Sequence, residues 1–246
     1  MTARAARFFV AGVFEVGDVV DLEAQDARKL LVVLRARDGD AVEIVDSSGR
    51  SYAALLRVVG ERVRAQLETR IAAPAPLRLR VTLAQGIPKG QKMDFVIEKA
   101  SEIGVAAIAP FTSARTIGDG TRDGKLERWR RLAKSAATQC GRSDVPAVEA
   151  PIDFAALLAR VGTHDVTLVP WELAPPQPLH ERLPSFLEGV RDVALVIGPE
   201  GGLTHDEAGE LASAGAHLIS LGSRILRTET AGLVACSILQ YVSGDI

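Results

Sequence analysis

Residues 192–207 read DVALVIGPEGGLTHDE, and this stretch indicates the fold class. The apolar run Asp192–Ile197 has the length of a buried strand and leads through the glycine-rich residues 198–202 to Thr204, where a helix opens. Thr204 and Glu207 have the spacing of a capping box, in which each side chain binds the backbone N–H of the other residue. A strand, a glycine turn and a helix in this order are typical of a parallel sheet covered by helices.

The same alternation extends over the chain from residue 77. Apolar residues recur at helical spacing before Gly104, which we expect to be a C-cap, and again over residues 126–140. A last helix is predicted over residues 230–242. Further strands are predicted at residues 79–84, 105–109, 166–169 and 217–221. The sequence therefore predicts an α/β fold for this part of the chain.

The first 73 residues have a different pattern. Short alternating or apolar runs at residues 7–10, 41–45, 52–59 and 63–67 are separated by glycine and aspartate turns, which is typical of a small β-barrel. The segment Ala73-Pro74-Ala75-Pro76 is stiff, because proline fixes its own φ and restricts the residue before it. We therefore predict a β domain at residues 1–73 and an α/β domain at residues 74–246.

Composition excludes several classes of protein. The chain has 246 residues, of which 47% are hydrophobic and 24% charged, so it can bury a substantial core and is not disordered. No apolar run reaches the roughly 18 residues that a membrane span needs. The two cysteines, Cys140 and Cys236, are too few for a disulfide framework, and nothing near them has the spacing of metal ligands. We expect a soluble cytoplasmic protein without a metal site.

The net charge of −2 conceals a strong asymmetry along the chain. Residues 74–143 hold 13 basic and 6 acidic side chains, a net charge of +7, and residues 144–246 hold 5 and 14, a net charge of −9. Residues 1–73 are neutral. A basic block of this size can attract phosphates, although an ordinary fluctuation on solvated faces would give the same count.

Three polar loops follow predicted strands, at the edge where open α/β sheets bind ligands. They are Pro170-Trp171-Glu172, residues 198–202 and residues 221–231. Glycines in the second loop allow close approach of a ligand to backbone, although tight turns also use them for shape alone. In the third loop, Thr228 or Thr230 could simply cap the last helix with Glu229 beside it, but a cap does not explain Arg224 and Arg227.

The motifs IGPEGGL at residues 197–203 and LGSRILRTETA at 221–231 resemble the two C-terminal signatures of the bacterial 16S rRNA (uracil-N3)-methyltransferase family of the SPOUT superfamily. IEKASEIGV at 97–105, QCGR at 139–142, RFFV at 7–10 and VLR at 33–35 resemble that family in the same order, so the resemblance covers almost the whole chain. The sequence departs from the family at two sites. Members often have a histidine a few residues before the VLR element, where the nearby polar residues here are Arg28 and Lys29, and Ala114 lies where a glutamate is common. Both departures affect expected RNA contacts more than the reaction.

The resemblance implies an N-terminal PUA-like β-barrel and a C-terminal SPOUT domain whose final segments form a trefoil knot that holds S-adenosylmethionine. It also implies a homodimer, to which the last helix could contribute. The expected cofactor-binding residues are Pro170, Glu172, Ile197, Gly198, Gly201, Leu221, Gly222, Ile225, Leu226, Arg227, Thr230 and Ala231.

The implied activity is methylation of N3 of a specific uridine in 16S rRNA near the decoding site, on the assembled small ribosomal subunit. Uracil N3 is protonated near neutral pH, so the reaction needs a base or a stabilising positive charge. Catalytic candidates are Arg142 for anion or phosphate binding, Arg227 for orienting the methionine or the uracil, and Glu229 as the base. The expected RNA-binding residues are Arg7, Arg35, Lys89, Arg115, Arg128 and Arg142.

Two other interpretations remain open at this point. Another SPOUT methyltransferase could act on a different RNA or position, and a non-catalytic RNA-binding or ribosome-assembly protein could keep the same two domains. The intact loops at residues 198–202 and 221–231 argue against the second of these. A nucleotide hydrolase is disfavoured, because no phosphate loop accompanies the glycines.

Overall fold

The computed structural model describes residues 5–72, 77–117 and 124–246. The chain divides into two compact units, Met1–Ala75 with Ala137–Asp144 and Pro76–Ala136 with Val145–Ile246. The predicted boundary at residues 73–76 lies outside the described residues, and the domain limits 1–73 and 74–246 stay a prediction. Residues 137–144, which that prediction assigns to the second domain, belong to the first unit.

The first unit is built on a five-stranded sheet. Its strands are β1 Ala6–Phe9, β2 Val19–Asp21, β3 Ala41–Val45, β4 Ser51–Val59 and β5 Arg62–Ile71. Their order is β1-β3-β4-β5-β2, with β1 and β3 parallel and the other neighbours antiparallel. The four predicted strands are present. In the described residues the sheet is not closed, since β1 and β2 are its two edges, and the predicted barrel is therefore not seen.

Two features of this unit were missed by the sequence analysis. Strand β2 has three residues, too few for an alternating pattern to be recognised. Helix α1, Ala24–Arg28, continues into a π-helical segment, Lys29–Leu34, whose apolar residues suit a strand equally well. The segment ends at Arg35, which has the left-handed φ of 54°. Phe8, Ile44 and Tyr52 lie in the buried core beneath the sheet.

The second unit confirms the α/β prediction, because it contains a six-stranded sheet in which every neighbouring pair is parallel. The strands are β6 Arg80–Gly86, β7 Ala107–Phe111, β8 Ala147–Val148, β9 Val166–Pro170, β10 Asp192–Ile197 and β11 His217–Ile219. Their order is β11-β9-β10-β6-β7-β8. The carboxyl ends of β9, β10 and β11 thus lie side by side.

Helices connect these strands. They are α2 Lys92–Ile103, α3 Lys125–Cys140, α4 Phe154–Leu158, α5 Leu179–Phe186, α6 His205–Ser213 and α7 Thr228–Ser243. Helix α2 ends at Gly104 with a φ of +108°, and the capping box of Thr204 and Glu207 opens α6; both features were predicted. In α3 the predicted apolar seam buries Trp129 and Ala133.

Side chains from the two faces of the second sheet enter separate apolar clusters. Leu195 and Ile197 of β10 belong to one cluster, and Val196 between them belongs to the other. This alternation fits a sheet that is covered on both faces, since successive strand residues point in opposite directions. Within the described part of the chain, no helix is long and apolar enough to cross a membrane.

Candidate functional site

A cavity of about 420 Å³ lies at the carboxyl ends of β9, β10 and β11. Open parallel sheets bind ligands at this edge, because the loops that follow adjacent strands converge there. All three loops that the sequence analysis selected contribute to the walls, together with the first residue of α2. The lining residues are Lys92, Pro170, Trp171, Glu172, Ile197, Gly198, Pro199, Glu200, Gly202, Leu203, Ser220, Leu221, Gly222, Ser223, Arg224, Ile225, Leu226, Arg227, Thr228 and Ala231.

The loop after β10 needs its glycines for close packing. A Cβ atom on Gly198 would lie 2.9 Å from the carbonyl carbon of Gly202, and Gly202 itself has a φ of +68°. Gly86, at the end of β6, lies against Pro199, where a Cβ atom would come within 2.5 Å of the proline nitrogen. The loop therefore folds back on itself, and these glycines serve its tight packing, which is the second of the two uses that the sequence left open.

The loop between β11 and α7 forms an apolar and cationic wall. Gly222 has a φ of +106°, and its N–H donates to the hydroxyl of Ser220 at 3.2 Å. Beyond this turn, Ile225 lines the cavity while 85% of its surface is exposed. Arg224 and Arg227 lie on the same wall. An exposed isoleucine at the rim of a cavity is available for contact with an apolar part of a ligand.

Thr228 fixes the start of α7, but not as the cap that the sequence suggested. The N-cap residue is Arg227, and its side chain makes no capping hydrogen bond. The buried hydroxyl of Thr228 instead donates to the carbonyl oxygen of Gly198 at 2.5 Å and accepts from Nε2 of Gln85 at 2.8 Å. The cap interpretation was therefore wrong, and Thr228 ties α7 to the glycine loop and to β6.

Three charged side chains form an ion cluster beside the cavity. The ammonium nitrogen of Lys92 lies 3.2 Å from Oε1 of Glu200 and 3.5 Å from Oε2 of Glu229. Burial alone would raise the pKa of Glu200, but hydrogen bonds from the backbone amides of Glu200 and Lys89 and the ammonium of Lys92 hold this pKa below its usual value. Glu200 is therefore an anion at neutral pH.

The loop after β9 packs against the loop after β10. The indole N–H of Trp171 donates to the carbonyl oxygen of Leu203 at 3.4 Å, and the Trp171 ring meets the His205 ring edge-on with centroids 5.2 Å apart. The Glu172 carboxylate lies against Gly202, where a side chain would meet it. Within the described residues, no group of three or more His, Cys, Asp or Glu side chains could hold a metal ion.

Comparison with known proteins decides the family. A family model described as an RNA methyltransferase domain matches residues 75–240. Ribosomal RNA small subunit methyltransferase E of Bacillus subtilis is 32% identical over 227 residues, which cover 89% of each chain. The chain belongs to the ribosomal RNA small subunit methyltransferase E family.

Two further relatives extend the match over nearly the whole chain. The methyltransferase E of Mycobacterium tuberculosis is 32% identical over 236 residues, which cover 94% of this chain and 89% of the relative. A crystal structure of the methyltransferase E of Neisseria gonorrhoeae, bound to S-adenosyl methionine, is 32% identical with a TM-score of 0.87. That superposition covers 97% of this chain and 98% of the other, so both units have counterparts in the relative.

Ten of the twelve cofactor-binding residues predicted for this methyltransferase line the cavity. Gly201 and Thr230 do not. The carbonyl oxygen of Gly201 accepts from Nη1 of Arg115 at 2.7 Å, and Thr230 lies exposed in the first turn of α7. The structure thus places ten of these residues at the cavity, whereas cofactor binding by them stays a prediction.

The residues present fit S-adenosylmethionine. The cavity has the size of a small-molecule site, since such sites commonly measure about 300–1,000 Å³. The backbone of Gly198 lines the cavity, and Ile197, Leu221 and Leu226 provide apolar walls. The carboxylate of Glu172 suits a positive charge of the cofactor, whereas that of Glu200 is already paired with Lys92.

Three of the candidate arginines, Arg7, Arg35 and Arg142, lie in the first unit of this methyltransferase. Arg7 is buried, pairs with Glu43 and donates to the carbonyl oxygens of Gly141 and Arg142. The side chain of Arg142 pairs with Asp144 at 2.6 Å and is 12% exposed. These contacts favour a structural role for Arg7, and the proposed RNA contacts of Arg7 and Arg142 stay predictions. Arg35 is exposed.

The other candidate RNA-binding residues belong to the second unit. Arg115 holds the carbonyl oxygen of Gly201, and Arg128 pairs with Asp94 at 2.6 Å while 54% of its side chain is exposed. Lys89 is exposed. Arg122, one of the 13 basic residues at positions 74–143, lies outside the described residues.

Sequence reasoning missed the position of Lys92, which it counted among the basic residues of the +7 block. Lys92 begins α2, and α2 follows β6, whose carboxyl end neighbours that of β10. Its place shortly after a strand at the ligand-binding edge was the available signal. Nothing in the local sequence pairs it with Glu200 or Glu229, because these residues are more than 100 positions away.

Proposed function

We propose that this protein transfers a methyl group from S-adenosylmethionine to N3 of a specific uridine in 16S rRNA near the decoding site, within the assembled small ribosomal subunit. The main support is that the match to the methyltransferase E family extends over 97% of the chain in the Neisseria gonorrhoeae structure. The cavity at the ends of β9, β10 and β11 supplies a site of suitable size and chemistry. In this proposal the protein acts in the cytoplasm, where its substrate is assembled.

The twelve predicted residues are proposed to hold the cofactor. Backbone groups of Gly198 and of residues 221–226 would bind its adenine and ribose, and the apolar side chains on both loops would enclose them. When bound, the cofactor supplies a methyl group on a sulfonium sulfur. Because this group is already activated, the protein has mainly to align uracil N3 with it and to remove one proton.

Glu229 is the proposed base for that proton. In the step the N3–H bond breaks and its proton passes to the Glu229 carboxylate. The electron pair left on N3 forms the bond to the methyl carbon, and the pair of the broken carbon–sulfur bond stays on sulfur. Arg227, which lines the cavity, is proposed to orient the uracil or the methionine group, and Arg142 to bind an anion or a phosphate.

The finer features of the fold belong to the same proposal. The five-stranded sheet of the first unit is proposed to be part of a PUA-like barrel that binds RNA, with domain limits at residues 1–73 and 74–246. The two loops at residues 198–202 and 221–231, which meet at Thr228, are proposed to form part of a trefoil knot. A homodimer with α7 at its interface completes the proposed assembly.

Binding to 16S rRNA is proposed to depend on basic side chains that meet phosphates, namely Arg7, Arg35, Lys89, Arg115, Arg128 and Arg142. Such binding weakens as salt rises, because each neutralised phosphate releases counterions. Most residues that line the cavity belong to the segment 144–246, whose net charge is −9. This charge is compatible with the proposed cofactor, which is not a polyanion.

A product-mapping experiment tests this proposal. Small subunits from a bacterial strain that lacks the N3-methyluridine modification are incubated with the protein and methyl-labelled S-adenosylmethionine, with naked 16S rRNA in parallel. We expect one N3-methyluridine near the decoding site, located by mass spectrometry and by a stop of reverse transcriptase, and little product on naked RNA. A methyl group on another base contradicts the assignment. Absence of cofactor binding in calorimetry would favour a non-catalytic RNA-binding protein.

A further inference from the structure

The ion cluster of Lys92, Glu200 and Glu229 joins three separate segments of the second unit. Lys92 is the first residue of α2, Glu200 lies in the glycine loop after β10, and Glu229 lies in the first turn of α7. The ammonium nitrogen of Lys92 thus pairs with both carboxylates, at 3.2 Å from Glu200 and 3.5 Å from Glu229. Lys92 and Glu200 line the cavity itself, whereas Glu229 is not among the lining residues and contacts the wall through Lys92.

Glu229 depends on this ammonium more than Glu200 does. Its side chain is only 15% exposed, and its Oε2 is buried and has no hydrogen-bond partner within the described residues. At 3.5 Å the contact with Lys92 is an ion pair without a hydrogen bond. A buried charge that lacks its counter-charge is strongly unfavourable, so removal of Lys92 would leave the carboxylate without compensation.

Glu200 holds Lys92 in place from the other side. Its Oε1 accepts the backbone N–H of Lys89 at 2.9 Å and also contacts the ammonium of Lys92. The backbone at the start of α2 and the side chain of Lys92 are therefore fixed by the same carboxylate. To reach a phosphate outside the cavity, the ammonium would have to leave both of its partners.

We propose that Lys92 is the positioning residue of the reaction, which holds the carboxylate of Glu229 in place beside the cavity. The inference rests on the proposed function, in which the Glu229 carboxylate receives the N3 proton of uracil. Lys92 itself transfers no proton and forms no bond to substrate. It keeps Glu229 ready to accept the proton, which later passes to water.

The test compares Lys92→Met, Lys92→Arg and a matched control, Lys99→Met. Lys99 lies on the same helix and also pairs with two carboxylates, those of Glu98 and Glu102, but it does not line the cavity. For Lys92→Met we expect kcat to fall about 10- to 100-fold, since a misplacement of about 1 Å at a reacting group can cost about 100-fold. The KM for small subunits and the calorimetric Kd for S-adenosylmethionine should change less than about threefold. Lys92→Arg should recover most of kcat, and Lys99→Met should match the wild type.

A double-mutant cycle with Glu229→Gln separates action through Glu229 from an independent role. If Lys92 acts through Glu229, Lys92→Met lowers kcat in the wild-type background and has no further effect in the Glu229→Gln background. Equal losses in both backgrounds overturn the inference. If Glu229→Gln has no measurable turnover, the single variants of Lys92 decide between the two roles. A loss of kcat at unchanged KM in Lys92→Met, recovered in Lys92→Arg, then supports action through Glu229.

The competing role, contact with an RNA phosphate, gives a different result. Lys92→Met would then raise the KM for small subunits, leave kcat unchanged and reduce the salt slope of binding by about one, and this outcome overturns the inference. Failure of the proposed function is distinguishable from both results, because the wild type would then form no N3-methyluridine while the variants still report cofactor binding.

Discussion

Thr228 is the side chain that joins three segments around the cavity. Its hydroxyl both donates to the Gly198 carbonyl and accepts from the Gln85 amide; the Thr228 and Gln85 side chains are buried, and Gly198 is partly buried. A hydroxyl is suited to this position, because it can donate and accept at once on a short side chain. The start of α7 is thereby fixed to the loop after β10.

Replacement of Thr228 by valine keeps the shape and removes both hydrogen bonds. We expect the free energy of unfolding to fall by about 1–3 kcal/mol, because a buried donor and a partly buried acceptor lose their partner. Chemical denaturation measures the change, and calorimetry with S-adenosylmethionine should show weaker binding. Thr163→Val is the control, since its hydroxyl also donates to a carbonyl, that of Arg160 at 2.8 Å, but on the exposed surface. An equal loss in both variants would contradict the role of Thr228.

The sequence could not reveal this arrangement. A threonine followed by a glutamate before an apolar helix is also the pattern of an N-terminal cap. The local sequence therefore favoured a capping role for Thr228 or Thr230. The competing partner, Gln85, lies 143 residues away on β6. Only the three-dimensional structure brings the two together.

Among the elements, the loop between β10 and α6 is tightly constrained by backbone geometry at Gly198 and Gly202. Gly202 has a left-handed φ of +68° and lies against the Glu172 carboxylate. Gly209, a few residues later in α6, has open space at its Cβ position and is exposed. The same substitution should therefore have opposite effects at these two glycines.

We expect Gly202→Ala to lower the free energy of unfolding by about 1–2 kcal/mol, because an L-residue is disfavoured in the left-handed region. It should also weaken binding of S-adenosylmethionine by displacing Glu172. We expect Gly209→Ala to raise the free energy of unfolding by about 0.5–1 kcal/mol, since alanine is the better helix former. Thermal or urea denaturation of both variants checks the pair, and a loss of stability in Gly209→Ala would be inconsistent with this account.

At this scale the sequence predicted most of the second unit and less of the first. Strands β6, β7, β9 and β10 and helices α2, α3 and α7 follow periodic patterns that are long enough to be recognised. The three-residue strand β2 and the π-helical segment Lys29–Leu34 do not, because short apolar runs fit a strand and a helix equally well. The open edge of the first sheet also depends on pairing between distant strands, which local patterns do not specify.

For the molecule as a whole, the basic block at residues 74–143 is less available than its charge suggests. Lys99, Arg128 and Arg130 each pair with a carboxylate of the same segment. The ammonium of Lys92 pairs with Glu200 in the cavity wall, and the guanidinium of Arg115 donates to the carbonyl oxygen of Gly201 in the glycine loop. The block therefore attracts phosphates through the long-range field of its net charge of +7, while five of its cationic side chains already have partners within the protein.

Salt dependence of RNA binding tests which arginines meet phosphates. Arg35 is exposed at the end of the π-helical segment, so we expect Arg35→Ala to reduce the slope of log K against log salt by about one and to weaken binding to small subunits. Arg191→Ala, at an exposed position of the acidic segment, is the control and should leave the slope unchanged. Equal slopes for wild type and Arg35→Ala would remove Arg35 from the proposed RNA contacts.

The two cysteines differ in a way that provides a built-in attachment point for a reporter. Cys236 is fully buried in α7, and burial raises the pKa of its thiol to about 12, so it stays protonated and shielded from reagents near neutral pH. Cys140, at the end of α3, is only partly buried. A maleimide dye or spin label should therefore attach at Cys140 alone, without removal of any native residue. A single probe near Arg142 could then report on the docking of RNA in real time.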